Sequence, residues 1–297
     1  MHFLQRTIQK PAHCSGVGLH SGKAVNVTIY PAPINHGIKF RRIDLPDSPY
    51  VSAHFNMVVD TSLATVIGHE GCIVSTIEHL MASFAGLSID NALVELDAYE
   101  MPVMDGSAGP FIDLIKQAGL VELEGPRSFF IIKEPIELAQ NGKSVGVYPH
   151  PTFKITCEIE YDNPVIAKQS YSVEASDEIF ECEICRARTF GFLDDVAYSK
   201  SVGLARGGSL DNAVVIDDEK VLNPEGLRFP DEFVRHKVLD CIGDFSLLGM
   251  PIIGHIKAKK SGHAFNHAFL KKFFDQKESW ETRTINDICD LIPFLPR

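Results

Sequence analysis

The feature of this chain that most constrains its fold is an order of elements that occurs twice. Each half of the 297-residue sequence has several short strand patterns, then a helical pattern, then a further strand and a further helix. Gly125-Pro126 separates the halves, and such pairs commonly mark breaks between elements. We therefore predict an α+β protein with two domains, residues 1–125 and 126–297.

The longest helical pattern lies in the second half and carries two candidate metal ligands. It begins near Pro230 and Asp231 and stops at Gly249. His236 and Asp240 lie one turn apart, which puts their Cβ atoms about 5–6 Å from each other, close enough to share a zinc ion. Such pairs are also common on solvated helix faces, which the pattern alone favours. The predicted buried face consists of Phe233, Val234, Val238, Cys241, Ile242 and Phe245.

A helical pattern in the first half runs from Ile73 to Gly86 and carries Glu78 and His79. Two interpretations of Glu78 compete. The run from Ser75 to Glu78 matches a capping box, in which the Glu side chain bonds to its own N-cap amide. Alternatively, His79 is a third metal ligand and Glu78 is a base beside a bound water, since three protein ligands and a water are typical of catalytic zinc sites. The pattern alone slightly favours the capping box.

Composition narrows the class of protein. A net charge of −11 disfavours an extended nucleic-acid surface and leaves a small ligand as the expected partner. The N-terminus has no apolar signal core, and no stretch approaches the roughly 18 apolar residues of a membrane-spanning helix. The seven cysteines are odd in number and scattered, which argues against a disulfide framework. We expect a cytoplasmic, monomeric protein.

Seven short motifs, in order over nearly the whole chain, carry a resemblance to a known family. They are Gly16-Val-Gly-Leu-His-Ser-Gly22, Ser75-Thr-Ile-Glu-His-Leu80, Met104-Asp-Gly-Ser-Ala108, Arg188-Thr-Phe-Gly-Phe192, Arg206-Gly-Gly-Ser209, Phe233-Val-Arg-His-Lys-Val-Leu-Asp240 and Lys260-Ser-Gly-His263. With these motifs the chain resembles the zinc-dependent UDP-3-O-acyl-N-acetylglucosamine deacetylases. Those enzymes release acetate from the sugar nucleotide in the committed step of lipid A biosynthesis, on the way to lipopolysaccharide.

The resemblance implies a fold and a set of roles. The expected fold is two two-layer α/β sandwiches whose helix layers face each other, with the active site between them. The resemblance favours the base over the capping box for Glu78. The implied zinc ligands are His79, His236 and Asp240, and the implied catalytic residues are Glu78 as base, His263 as acid, Thr189 as oxyanion donor, and Lys237 and Asp244 in support.

The resemblance also implies where the substrate binds. The irregular segment 193–215 completes the core or lines a groove. Its pattern favours the core, whereas the resemblance implies an insert that holds the acyl chain. Tyr161 could stack on uracil, and Lys260 is expected near the nucleotide. The expected substrate-binding residues are Phe190, Phe192, Leu193, Val196, Leu210, Val215, Lys260 and Tyr161.

Two rival classes stay open at this stage. A non-catalytic protein that binds nucleotide sugars or acyl chains would need neither Glu78 nor His263 beside a metal. A thiol-dependent hydrolase would use one of the cysteines with a histidine. Turnover that stops with a chelator and ignores thiol blockers would exclude both.

Overall fold

The computed structural model describes residues 2–195 and 203–284, and these form an α+β fold, as predicted. Most strands of each half pair within that half, and the helices pack between the sheets. Val25, Val27 and Ile29 show why the strands form: alternate side chains on one strand are fully buried, while their neighbours face outward. Within the described ranges, no helix has both the length and the apolar character needed to cross a membrane.

The first half contains ten strands and two longer helices. The strands are β1 (Leu4–Ile8), β2 (Ala12–Val17), β3 (Ala24–Pro31), β4 (Ile38–Arg42), β5 (Tyr50–Ser52), β6 (Val58–Asp60), β7 (Val66–His69), β8 (Cys72–Val74), β9 (Ala92–Leu96) and β10 (Leu120–Pro126). The helices are α1 (Glu78–Gly86) and α2 (Gly109–Ala118), with a 3₁₀ turn at Phe55–Met57. The main sheet has the order β2-β3-β9-β4-β5, and β6, β7 and β8 form a smaller sheet.

The second half has nine described strands. They are β11 (Ser128–Ile132), β12 (Ile136–Gln140), β13 (Lys143–Tyr148), β14 (Phe153–Glu160), β15 (Lys168–Glu174), β16 (Phe190–Phe192), β17 (Val214–Ile216), β18 (Ile252–Lys259) and β19 (Trp280–Thr284). The helices are α3 (Asp177–Ile179), which continues as a π-helical turn at Phe180–Ile184, α4 (Glu232–Ser246) and α5 (His263–Asp275), followed by a 3₁₀ turn at Lys277–Ser279. Seven of these strands form one sheet around β18, while β16 pairs with β17.

The helices α1 and α4 pack directly against each other, and this contact joins the two halves. Gly243 of α4 makes it possible, because a Cβ atom there would lie only 2.1 Å from the carbonyl oxygen of Glu78 on α1. Any larger residue would push the helices apart. The predicted buried face of α4 is confirmed, since all six of its residues are buried.

The first helix starts later than the sequence pattern predicts. Ile73 lies in β8, and α1 begins only at Glu78. Thr76, between them, has a left-handed backbone with φ of 61°, which an α-helix does not tolerate. The extension of the helix back to Ile73 is therefore wrong.

Gly125 and Pro126 lie in a strand rather than in a free linker. They end β10, which pairs antiparallel with β1 through the pair Leu4 and Pro126. The five-stranded sheet lies before this point and the seven-stranded sheet after it. The division into residues 1–125 and 126–297 stays a prediction.

Candidate metal centre

Three buried side chains from α1 and α4 form a cluster with the spacing of metal ligands. His79 lies in the first turn of α1, and His236 and Asp240 lie one turn apart on α4. One potential ligand atom from each lies within 4.8 Å of the other two. Oδ1 of Asp240 is 3.3 Å from Nε2 of His236 and 3.8 Å from Nε2 of His79. Ligand atoms held tetrahedrally at about 2.0–2.1 Å from one ion lie about 3.4 Å apart, so this spacing fits a shared metal ion.

The protonation states of these side chains also fit a metal ion. Burial, followed by the proximity of His236, lowers the pKa of His79 to about 3, and burial lowers the pKa of His236. Nδ1 of His236 donates to the carbonyl oxygen of Ala187 at 3.0 Å, which leaves Nε2 as the free lone pair facing the cluster. At neutral pH the cluster thus offers two neutral imidazoles.

Asp240 supplies the negative charge of the cluster. Burial by itself would raise the pKa of this carboxyl, but His236 and Lys237 outweigh burial and hold the pKa well below its usual range. Nζ of Lys237 donates to Oδ2 of Asp240 at 2.8 Å, which turns Oδ1 towards the imidazoles. The pKa of Lys237 is raised in turn, because Asp240 outweighs the opposing effect of burial. Two imidazoles and one carboxylate are a ligand set for a divalent transition metal.

Beside the cluster, Glu78 and His263 face each other. Oε1 of Glu78 lies 3.9 Å from Nε2 of His263, and its Oε2 accepts from the backbone N–H of Thr65 at 3.1 Å. Burial raises the pKa of Glu78 to about 7, although the charge of His263 opposes this effect. A carboxyl whose pKa lies near neutrality is suited to accepting and releasing a proton.

Asp244 holds His263 in place and keeps it protonated. Its Oδ2 accepts from Nδ1 of His263 at 2.9 Å and from the amide of Asn266 at 2.7 Å, and its Oδ1 accepts from the hydroxyl of Thr65. Burial by itself would lower the pKa of His263, but Asp244 outweighs burial and raises this pKa to about 10. The imidazolium therefore presents its Nε2 proton towards Glu78.

The capping-box interpretation of Glu78 is wrong. Helix α1 begins at Glu78 itself, its N-cap residue is Ile77, and no side chain caps the helix there. The hydroxyl of Ser75 lies 3.3 Å from that of Thr76 instead. The carboxylate of Glu78 instead accepts from the backbone N–H of Thr65 and lies in the site.

Thr189 lies on a segment that two backbone contacts fix beside the cluster. Two residues earlier, the carbonyl of Ala187 accepts from His236. The N–H of Thr189 donates to the carbonyl of Gly106 at 2.8 Å. Gly106 has a φ of 85°, and a Cβ atom there would lie 2.1 Å from the carbonyl oxygen of Asn212, so only glycine fits. The motif from Met104 to Ala108 thus supports Thr189 as well as leading into α2.

Arg188, between these two contacts, is clamped to the start of α4. Its backbone N–H and its Nε both donate to Oε1 of Glu232, at 3.0 Å and 2.9 Å. Its guanidinium also bonds to Glu225 and to the carbonyl of Gly226. The side chains of Arg188 and Glu232 are only 2% and 0% exposed, so this ion pair lies in the interior.

We expect Arg188→Met to lower the free energy of unfolding by about 3–5 kcal/mol, because it leaves Glu232 buried without its main partner. Urea unfolding would measure the change. As a control, Arg41→Met breaks a more exposed pair with Glu95, for which about 1 kcal/mol or less is expected. Equal effects of the two substitutions would contradict the importance of the Arg188 clamp.

The aromatic side chains expected at the substrate lie together next to α4. The ring centroid of Phe190 is 6.3 Å from that of His236 and 5.4 Å from Nζ of Lys237. Tyr161 lies 5.9 Å from the rings of both Phe190 and Phe192. These aromatic residues form one surface that borders the cluster.

Lys260 and the insert residues lie further out. Nζ of Lys260 pairs with Glu160 at 2.5 Å. Glu160 is the last residue of β14, and Lys260 directly follows the parallel strand β18. Leu193 and Leu210 are 46% and 39% exposed, whereas Val215 is buried in β17. Val196 lies outside the described residues.

Three contributors to the site were not found from the sequence. Thr65 bonds to both Glu78 and Asp244, and Asn266 bonds to Asp244. Neither belongs to a motif or to a distinctive spacing. Glu232 was not singled out either, although its partner Arg188 begins a motif that the sequence analysis identified.

Comparisons with known proteins find one matching family and several similar proteins. Residues 5–275 match the UDP-3-O-acyl N-acetylglycosamine deacetylase family. Proteins named UDP-3-O-acyl-N-acetylglucosamine deacetylase are similar over almost their whole length. That of Myxococcus xanthus is 51% identical, covering 94% of this chain and 89% of the relative. Those of Chromobacterium violaceum and Syntrophus aciditrophicus are 48% and 45% identical, each covering 97% of this chain and 96% or 91% of the relative.

Proposed function

Because the chain belongs to the UDP-3-O-acyl N-acetylglycosamine deacetylase family, we propose that it hydrolyses UDP-3-O-acyl-N-acetylglucosamine. The products are acetate and the free 2-amino sugar nucleotide, and the reaction is the committed step of lipid A biosynthesis. The observation that carries this proposal is the buried ligand cluster with the facing pair Glu78 and His263 beside it.

The proposed metal ion is Zn²⁺, with His79, His236 and Asp240 as its ligands. Two imidazole nitrogens and one carboxylate oxygen support this choice, because catalytic zinc sites usually have three such protein ligands. When bound, zinc would polarise the amide carbonyl and lower the pKa of water. Two hydrogen bonds support this ligand set. The bond from Nδ1 of His236 to Ala187 leaves Nε2 free to bind a metal ion, and the bond from Lys237 to Oδ2 of Asp240 leaves Oδ1 free.

Glu78 and His263 are the proposed base and acid. The carboxylate of Glu78 accepts a proton from the attacking water as the new C–O bond forms on the acetyl carbon. The N–H of Thr65 holds that carboxylate in position. His263 then gives its Nε2 proton to the amine nitrogen as the C–N bond breaks. Asp244 is a positioning residue that orients His263 and keeps it protonated.

Thr189 and Lys237 are proposed to stabilise the developing negative charge. The hydroxyl of Thr189 donates to the oxyanion, and removal of one such donor typically lowers kcat by about 10²–10³-fold. Lys237 stays cationic, because Asp240 raises its pKa. It contributes charge rather than a proton.

The substrate is proposed to extend from the cluster in two directions. The nucleotide lies towards Tyr161 and Lys260, and Phe190 and Phe192 form a wall beside Tyr161. The acyl chain lies along the insert, where exposed Leu193 and Leu210 support a groove, with Val196 and Val215 as further members. Each buried CH₂ would contribute up to about 0.8 kcal/mol, so affinity depends on chain length.

We also propose that the protein works as a monomer in the cytoplasm. The six described cysteines are free thiols, as expected in a reducing compartment. Cys185 and Cys241 are poor candidates for a nucleophile. A hydrogen bond with Cys157, together with burial, raises the pKa of Cys241 well above its usual range, and burial raises the pKa of Cys185 to about 11.

Acetate release tests the proposed function. Purified protein would be incubated with UDP-3-O-acyl-N-acetylglucosamine after dialysis against a chelator, and again after one equivalent of Zn²⁺ is added. We expect activity to vanish and return, and a thiol blocker to have no effect. No acetate under either condition from folded protein would overturn the proposal.

We expect Asp244→Asn to move the alkaline limb of the pH profile of kcat/KM to lower pH. Asp244, with smaller contributions from Glu78 and Asp240, outweighs burial and raises the pKa of His263 from its ordinary value near 6.5 to about 10. The proton of His263 is therefore retained at neutral pH and is lost as the pH rises through about 10. Loss of the carboxylate charge should lower this limb by about 1–3 pH units.

Rate measurements between pH 6 and about 10.5 would show this shift. Asp275→Asn, near the other end of helix α5, is the matched control and should leave the limb in place. A limb that stays put in Asp244→Asn would argue that His263 is not the acid.

A further inference from the structure

A cavity lies between the two halves, away from the candidate metal centre. Its volume is about 460 Å³, within the range of about 300–1,000 Å³ that is typical of small-molecule sites. Helices α1 and α4 line it with residues that follow the proposed metal ligands along each helix, such as Met81 on α1 and Phe245 on α4. None of the residues proposed to bind metal or substrate lines this cavity. Exposed Asn56 and Gly249 lie on its wall, so it opens to solvent.

The wall of the cavity is mainly apolar. Aliphatic and aromatic side chains from both halves form it, among them Met81, Phe84, Phe153, Ile242, Phe245 and Ile252. An apolar cavity of this size favours a ligand with a hydrocarbon part over water, because water finds few partners there. A water molecule occupies roughly 30 Å³ in the liquid, so the cavity has room for about 15 groups of that size.

The cavity wall also has polar side chains, among which Arg127 is the only arginine or lysine in the described part of the chain. The others are His36, Ser52, His54, Asn56, Asp90 and Ser246. The side chain of Arg127 is only 8% exposed, yet it lines the cavity. Its Nε donates to Oδ1 of Asp90 at 2.7 Å. Across residues 2–195 and 203–284, the two Nη groups of Arg127 make no hydrogen bond within the protein. The second oxygen of Asp90 accepts from the backbone N–H of Arg6 at 3.0 Å.

These Nη groups are suited to a carboxylate. A guanidinium presents parallel N–H donors in a fork that matches the two oxygens of a carboxylate, and such charge-assisted bonds are strong when buried. A mainly apolar cavity with one guanidinium group fits a ligand that has a hydrocarbon chain and a single anionic head group. It fits a sugar or nucleotide less well, because most of the residues that line it are apolar.

We propose that this cavity binds a medium-chain fatty acid, with its carboxylate on Arg127 and its hydrocarbon chain between α1 and α4. Dodecanoate, with 14 heavy atoms, is close to the capacity of the cavity. This site is separate from the proposed acyl groove at Leu193 and Leu210, and it does not depend on the proposed deacetylase activity.

Dodecanoate labelled with ¹³C at its carboxyl group tests the proposal on the full-length protein. Titration calorimetry would give the stoichiometry and Kd, and the carboxyl resonance would report the head group. Ala85 lies on α1 and lines the cavity. We expect Ala85→Phe, which fills the cavity, to weaken binding at least tenfold while acetate release stays unchanged. Arg127→Lys, which keeps the charge but loses the fork, should weaken binding several-fold and shift the carboxyl resonance.

Leu210→Asp separates this cavity from the proposed acyl groove. Binding that survives in Leu210→Asp but is lost in Ala85→Phe supports the cavity. The proposal would be overturned if dodecanoate binding were lost only in Leu210→Asp, or if it were unchanged in both Ala85→Phe and Arg127→Lys. Absence of binding to the unmodified protein would also overturn it. Thermal unfolding of each variant confirms that it is folded. Because acetate release is measured separately, failure of this proposal is distinguishable from failure of the proposed function.

Discussion

Glu78→Gln is expected to lower kcat by about 10²–10⁴-fold while leaving the bound metal in place. Glutamine has the shape of glutamate and can still accept from the N–H of Thr65, so the site keeps its geometry. It cannot take a proton from water. The pKa of Glu78, raised to about 7 mainly by burial, is what makes this carboxylate an effective base near neutral pH. Steady-state kinetics of acetate release and metal analysis of the same sample would measure both effects.

Glu95→Gln provides the matched control for Glu78. Glu95 lies on β9 of the same half and pairs with Arg41, away from the cluster. It should retain full activity. Near-normal turnover in Glu78→Gln, combined with a lowered melting temperature, would give Glu78 a structural role instead.

The helix that carries two of the proposed ligands was predictable because its signals are local. Periodic apolar residues and terminal signals lie within about 20 residues, and α4 forms within the predicted bounds. The spacing of His236 and Asp240 follows directly from the helix. What the pattern could not show is their burial, since it favoured a solvated pair. Packing of α1 onto α4 at Gly243 buries them, and that contact joins residues far apart in the chain.

The surroundings of the base and acid were harder to predict for the same reason. Thr65 bonds to Asp244, 179 residues away, and no spacing in the sequence records this contact. The capping-box pattern at Glu78 was misleading, because Thr76 has a left-handed backbone and the helix starts three residues after Ser75. Motifs shared with a known family favoured the base where local pattern favoured the cap.

Asp240→Ala is expected to lower metal affinity by at least about 100-fold and to abolish activity at ordinary metal concentrations. Loss of a supporting partner of a ligand typically costs about 10–100-fold in affinity, and loss of a ligand should cost more. Asp240 is also the carboxylate that both imidazoles approach and the partner of the buried Lys237. Its removal takes away the negative charge of the ligand set and leaves the cationic Lys237 without its partner beside the site, which opposes binding of a cation. Competition with a chromogenic chelator would measure the affinity.

The control for this variant lies on the same helix. Asp231→Ala removes a carboxylate at the start of α4 that pairs with Arg235 outside the cluster, and it should retain both metal and activity. Excess Zn²⁺ should restore part of the activity of Asp240→Ala, because the two imidazoles still offer a weak site. Full metal content in Asp240→Ala at equimolar Zn²⁺ would remove Asp240 from the ligand set. The metal would then have to be held by His79 and His236 with a group outside this cluster.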